Sequence, residues 1–312
     1  MNYENVKQPQ FQWSFLAPRY WVLGFGLFCW RLLLLLPYPV LRHIGNALGR
    51  LFSRLKIGRR RAAIARRNLE LCFPEKSSEE REAILQQNLQ AVGMAIIETG
   101  MAWFWSDARI KNWSKIEGLD YLKNNAEKGI ILVGVHFLTL ELGARILGLA
   151  HPGVGVYRPN DNPLFDYIQY RGRIRSNRAL LDRKDLRGMI KALRHGETIW
   201  YAPDHDYGRK NAVFVPFFAV PEAATTTGSY YLLKSVPQAA VIPFAPLRNE
   251  DGSGYTVSIS APVDFTDLDE ETAIAARMNR VVEKEILKGV AQYMWLHRRF
   301  KTRPTEDMPS LY

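Results

Sequence analysis

The stretch GVHFLTLELGAR, residues 134–145, sets a histidine where an apolar run ends and a helical pattern begins. The run Ile130 to Val135 is short, continuous and apolar, which predicts a strand buried on both faces. His136 then sits at the carboxyl end of a strand, where open α/β sheets bind their ligands. Glu141 follows five residues later. Inside one regular helix, positions five apart lie about 140° apart around the axis and do not meet. With His136 in the loop and Glu141 one turn inside the helix, the carboxylate reaches back to the imidazole. A carboxylate on one ring nitrogen fixes the tautomer and stabilises the imidazolium, leaving the other nitrogen free as a base. No G-x-S-x-G elbow is present, and Cys72 lies in a distant helical stretch, so no internal nucleophile completes a triad. The direct chemistry is removal of a proton from a substrate hydroxyl, which attacks an activated acyl carbon. Spacing alone favours a structural His–Glu hydrogen bond over catalysis, and a metal-ligand pair least.

A second cluster, Asp204-His205-Asp206, follows the apolar run from Thr198 to Ala202, again at a strand's carboxyl end. It reads as a structural turn or as metal ligands. No second histidine cluster supplies a full ligand set, so no metal is assigned. Between Arg158 and Arg194 lie ten Lys or Arg and four Asp. Such a run is a solvated helix face or a cradle for phosphate and carboxylate oxygens, which guanidinium forks bind in pairs.

The elements that must position these groups alternate. Apolar residues Val40, Leu41, Ile44, Leu48, Leu51, Phe52 and Leu55 predict helix within 38–72, which Pro74 stops. Ser77-Ser78-Glu79-Glu80 reads as a capping box opening a helix to about Trp105, whose Trp-Phe-Trp end reads as core. Strands are expected at 130–135, 154–157, 198–202, 239–247 and 255–260, with the last nearer an edge. Helices are expected at 138–149, 185–195, 223–234 and 270–287. Alternation of this kind predicts an α/β domain, a largely parallel sheet flanked by helices, over residues 74–312.

Residues Tyr20 to Leu36 carry one charge, Arg31. A helix of that length covers ~25 Å against a ~30 Å hydrocarbon core. The reading is an N-terminal membrane helix over 20–41, with residues 1–19 on the periplasmic side and basic, membrane-proximal helices over 42–73. Arg42, Arg50, Arg54, Lys56, Arg59, Arg60, Arg61, Arg66 and Arg67 follow the segment, and only Lys7 and Arg19 are basic before it. The positive-inside rule puts the rest of the chain in the cytoplasm. The two cysteines, Cys29 and Cys72, form no C-x-x-C and suit a reducing compartment. At 47% hydrophobic and 23% charged residues the chain should fold rather than stay disordered. Its net charge of +11 favours an anionic partner. No nucleic-acid module signature appears, so nucleic acid is not expected.

Beyond these residues, the blocks NLELCFPE (68–75), ETGMAWFW (98–105), HFLTLELGAR (136–145), GVYRPNDNP (155–163), RSNRALLDRKDLRGMIKAL (175–193), WYAPDHDYG (200–208), VFVPFFAV (213–220), AATTTG (223–228) and YMWLHRRFKTRP (293–304) resemble the late acyltransferases of lipid A biosynthesis, the lauroyl type in particular. These belong to the wider glycerolipid acyltransferase superfamily with its H-x-x-x-x-[D/E] signature. Many glycerolipid enzymes have Asn before the histidine and Asp at the acid position. Here Val135 and Glu141 stand there, and glutamate favours the lipid A branch over a lysophospholipid or glycerol-phosphate acyltransferase. The resemblance implies catalysis by His136 with Glu141. It implies substrate-side roles for Arg158 and Arg173, and a part for Asp204 in shaping the acceptor site. It also implies an inner-membrane enzyme that moves a fatty acyl chain from acyl carrier protein to a hydroxyacyl chain of a phosphorylated glycolipid, the Kdo-bearing lipid A precursor. A thioester is already activated, so no cofactor or metal is required. Acyl chain length is not readable from these blocks.

Overall fold

A computed structural model describes residues 8–312. Four helices come first: α1 (Trp21–Leu33), α2 (Tyr38–Arg54), α3 (Lys56–Cys72) and α4 (Ser78–Phe104). The capping box opens α4 as expected. The Ser77 hydroxyl accepts the Glu80 N–H at 3.2 Å, and the Glu80 carboxylate accepts the Ser77 N–H at 2.7 Å. Helices α2 and α4 cross backbone to backbone. A Cβ on Gly93 would overlap the Gly45 carbonyl and the Gly49 amide, so small residues are obligatory there.

The rest alternates: α5 (Asp107–Asn112), β1 (Ser114–Glu117), α6 (Leu119–Lys123), β2 (Ile130–Val133), α7 (Leu140–Ala150), β3 (Gly153–Tyr157), α8 (Pro163–Ile174), β4 (Asn177–Asp182), α9 (Leu186–Arg194) and β5 (Thr198–Tyr201). There follow β6 (Ala212–Phe217), β7 (Val220–Thr226), α10 (Gly228–Ser235), β8 (Ala240–Arg248), β9 (Tyr255–Ile259) and α11 (Glu271–Leu287). Seven strands form one sheet in the order β1-β9-β8-β2-β5-β3-β4. The five from β8 to β4 run parallel, and β9 lies antiparallel to β8. This is the expected α/β sheet. Strand β9 is one place in from the edge, which β1 occupies.

The uninterrupted apolar run of β2 has its physical cause here. Ile131 and Val133 enter one core layer, shared with α3, α9, α10 and α11. Ile130 and Leu132 enter the other, shared with α2, α4 and α7. Two covered faces demand apolar residues at every position. Several segments depart from expectation: the helical stretch 38–72 breaks at Leu55 into α2 and α3, and β1, β4 and β6 are additional strands. Residues 223–226 belong to a β6–β7 hairpin, not to a helix, and α8 and β4 fall within the basic run.

The expected membrane-spanning helix requires correction. Helix α1 has 13 residues and ends at Leu33, ahead of Pro37 and Pro39. Among the described residues no helix is long and apolar enough to cross a membrane. The chain before α1 also packs on the folded domain, with the Phe11 and Phe15 rings 6.1 Å and 5.9 Å from Tyr167 of α8. Helix α1 docks on α4 through Trp30, whose ring meets Trp103 and Phe104 at 5.7 Å. Its other side exposes Trp21, Val22, Phe25, Phe28 and Leu32. Residues 1–7, including Lys7 of the expected periplasmic segment, lie outside the described residues.

Candidate active site

Strands β2 and β5 are neighbours, and their carboxyl ends deliver His136 and Asp204 to one point. The backbone after β2 is pinned on its far side. The His136 carbonyl accepts the Met294 N–H at 2.9 Å, and the Leu138 N–H donates to the Gln292 carbonyl at 2.8 Å. Asp204 then takes two hydrogens from the same residue. Its Oδ2 accepts the His136 backbone N–H at 3.0 Å, and its Oδ1 lies 2.7 Å from His136 Nδ1. The Asp204 side chain is fully buried, and that of His136 is 26% exposed.

Burial alone would raise the Asp204 carboxyl. The charge and hydrogen bonds of His136 outweigh it and hold Asp204 well below the usual carboxylate range. An ionised Asp204 can only accept, so Nδ1 carries the hydrogen, and in the neutral form of the ring Nε2 presents its lone pair. That is the arrangement of a general base.

A stack of imidazoles backs this ring. His205 lies face to face with His136, centroids 3.6 Å apart and planes at 13°. His297 stacks on the other side of His205 at 4.3 Å. Burial and repulsion from His136 push the His205 imidazole down to about 3, so it is neutral at pH 7. A neutral ring can lie flat against His136 when that residue becomes charged.

His136, Asp204 and His205 bring three possible ligand atoms within 4.8 Å of one another. However, both Asp204 oxygens already serve His136, and stacked rings point their nitrogens along parallel planes. A metal needs ring nitrogens converging at ~2.0–2.1 Å. The cluster therefore suits proton transfer better than coordination. Asp206 is a turn residue. Its oxygens accept the Thr302 N–H and hydroxyl, each at 2.8 Å, and the Gly208 N–H at 2.9 Å.

Glu141 does not make the expected bond to His136. It stands in the first turn of α7 and accepts from Arg173 of α8, through Nε at 3.1 Å and through Nη2, and from Trp103 Nε1 at 3.2 Å. Burial again opposes ionisation, and the Arg173 charge overcomes it, lowering the Glu141 carboxyl. The carboxylate that orients His136 is thus Asp204. Arg173 and Glu141 form a second charged unit closed by Trp103. Arg158 joins neither unit. It lies exposed beyond β3 and pairs with Asp161 at 3.0 Å.

Sequence reasoning named His136, Glu141, Arg173 and Asp204 but joined the first two. It took His205 only as part of a turn or metal cluster and assigned no role to His297, and it read Trp103 as core. The recoverable signal was positional, since an acid directly after an apolar strand lies on the same sheet edge as His136.

A family model of bacterial lipid A biosynthesis acyltransferases matches residues 8–302. A lipid A biosynthesis acyltransferase of Haemophilus influenzae is 75% identical over 99% of each chain. The lipid A biosynthesis lauroyltransferase of Escherichia coli is 54% identical over 97% of this chain and 99% of its own. The Escherichia coli palmitoleoyltransferase of the same biosynthesis is 48% identical over 98% and 99%. The chain belongs to the bacterial lipid A biosynthesis acyltransferases and is an O-acyltransferase.

Proposed function

We propose that the protein transfers a fatty acyl group, most naturally lauroyl, from acyl carrier protein to the hydroxyl of a hydroxyacyl chain on Kdo2-lipid IVA. The observation that carries the mechanism is the double hydrogen bond from His136 to buried Asp204, which frees Nε2. Nε2 takes the hydroxyl proton as the oxygen attacks the thioester carbonyl. The tetrahedral intermediate collapses with loss of the carrier thiolate, which recovers the proton from the imidazolium. Asp204 holds the tautomer and balances the charge that develops on the ring. The Glu141–Arg173 unit, begun five residues along the chain from His136, keeps a guanidinium and an indole fixed. The higher identity to a lauroyl than to a palmitoleoyl enzyme supports the shorter chain.

The exposed apolar side of α1 rests, in this reading, in the surface of the inner membrane with the catalytic domain on its cytoplasmic side. The basic residues of α2 and α3 face anionic headgroups. A basic surface also suits an acidic carrier protein. Mass spectrometry of lipid A from cells with and without the gene tests the proposal. Loss of one acyl chain is the expected result. A changed phospholipid profile with intact lipid A would move the assignment to a lysophospholipid or glycerol-phosphate acyltransferase.

A further inference from the structure

A cleft of about 570 Å³ opens beside the Glu141–Arg173 unit. It is lined by Trp103 and Phe104, by Arg31 of α1, by Arg171 of α8 and by Arg175, which caps the end of α8. The link to the site is direct, because Trp103 lines the cleft and donates to Glu141. Arg31 is exposed, with its guanidinium 5.8 Å from the centroid of the Phe104 ring.

The three guanidiniums differ in what occupies them. Arg175 donates to the Trp103 and Trp105 carbonyls at 2.7 Å and 2.9 Å and stands 3.6 Å from Asp107. Among the described residues, Arg31 and Arg171 have neither an acidic partner nor a side-chain hydrogen bond. Two unneutralised forks lining one cleft with two aromatic rings are complementary to a compact dianion attached to a ring. Arg31 also stands among exposed apolar residues of the same segment, Phe25 and Phe28 before it and Leu32 and Leu35 after it.

Resting on the proposed glycolipid reaction, the geometry points to this cleft as the subsite for a phosphate group of the acceptor lipid, held by Arg31 and Arg171 and steadied by Arg175. One aromatic residue, Trp103, separates that phosphate from Glu141. A phosphate docked there fixes which part of the acceptor faces the catalytic wall.

The test compares wild type with Arg31→Ala, Arg171→Ala and the lysine variants of both. The acceptors are the phosphorylated lipid A precursor and the same lipid after phosphatase treatment. Each alanine variant should raise KM for the phosphorylated acceptor about tenfold or more, the weight of a lost charged hydrogen bond. Lysine should restore part of it. The dephosphorylated acceptor should be used equally poorly by wild type and variants, and KM for the acyl donor should not move. Inorganic phosphate should compete with the phosphorylated acceptor in wild type only. An equal KM rise for both acceptors overturns the subsite. A rise confined to the donor does so too, as does loss of phosphatidylglycerol-vesicle binding that tracks the loss of activity. If wild type transfers nothing to any glycolipid, the functional reading fails and takes the subsite with it. Transfer with a KM indifferent to both arginines sinks the subsite alone.

Discussion

Asp204 holds His136 twice, once by the backbone N–H and once by ring Nδ1, so the carboxylate sets both where the ring stands and which nitrogen carries hydrogen. A general base of this kind contributes a factor of roughly 10²–10⁴. His136→Ala should therefore nearly abolish acyl transfer in a folded protein. Asp204→Asn keeps the size but removes the charge that stabilises the imidazolium and can invert the tautomer. We expect it to cost at least two orders of magnitude, on the order of 10², and the double variant to be little worse than His136→Ala. Single-turnover rates with acyl carrier protein substrates, checked against circular dichroism, decide it. Fully additive losses would show that the two residues act separately.

The imidazole stack makes stability depend on acid. His205 is held down to about 3 in the fold against about 6.5 when unfolded. Between those values the unfolded chain binds the extra proton, so stability rises with pH and is lost as pH falls below about 6.5. Asp204 acts in the same direction at lower pH, because its carboxyl is depressed in the fold. The melting temperature of wild type should fall from pH 7 to pH 4.5. In His205→Gln the fall should be shallower. Parallel curves for the two proteins would remove His205 as the sensor.

What the sequence revealed follows from what each signal encodes. Strands β2, β3, β5 and β8 were readable because a strand covered on both faces must be apolar throughout. The β6–β7 hairpin was not. Its AATTT stretch is extended partly because Asn279 of α11 donates to Thr225 and to the Pro216 carbonyl, at 2.9 Å and 2.8 Å. That tie depends on residues more than fifty positions away. His136 could be found by its place at a strand end. Its partner could not, because the adjacency of β2 and β5 is a property of the sheet order, while Glu141 was merely nearer along the chain. Helix α1 looked like a span by composition. Pro37 stops the helical run, which leaves α1 with 13 residues.

A buried ion pair joins the helical layer to the sheet. Arg248 of β8 donates to Glu98 of α4 at 2.7 Å and 3.0 Å, and both side chains are almost wholly enclosed. Removing one partner strands a buried charge, at a cost of about 3–5 kcal/mol. Glu98→Ala should lower the denaturant midpoint sharply with an unchanged slope. Glu98→Leu combined with Arg248→Met should recover most of the loss. A double variant as unstable as the single one would mean that packing, not charge, dominates there.

The exposed apolar residues of α1 give the membrane reading a direct check. Phe25 and Phe28 contribute apolar surface to a helix of 13 residues, so burial in the headgroup region, as proposed, should be reversible. Alkaline carbonate should strip the wild-type protein from membranes. Phe25→Glu with Phe28→Glu should leave it largely in the soluble fraction while it remains folded. Retention of both proteins through the carbonate wash would restore a spanning helix.

The last expectation separates the two carboxylates. Glu141 is bound to Arg173 and Trp103, not to His136, so its energetic partner should be Arg173. Charged hydrogen bonds are worth about 1.5–3 kcal/mol each, so Glu141→Gln should slow transfer by roughly ten- to a hundredfold or more. Arg173→Lys keeps the charge but not the fork that meets both Glu141 oxygens, and should recover little over Arg173→Ala. In a double-mutant cycle Glu141 and Arg173 should couple, their combined loss being well short of the product. The same cycle with His136 should show weaker coupling than the Asp204–His136 cycle. Strong coupling of Glu141 to His136, with none to Arg173, would mean that the carboxylate turns to the imidazole when substrate binds, and that the Arg173 pair is only its resting position.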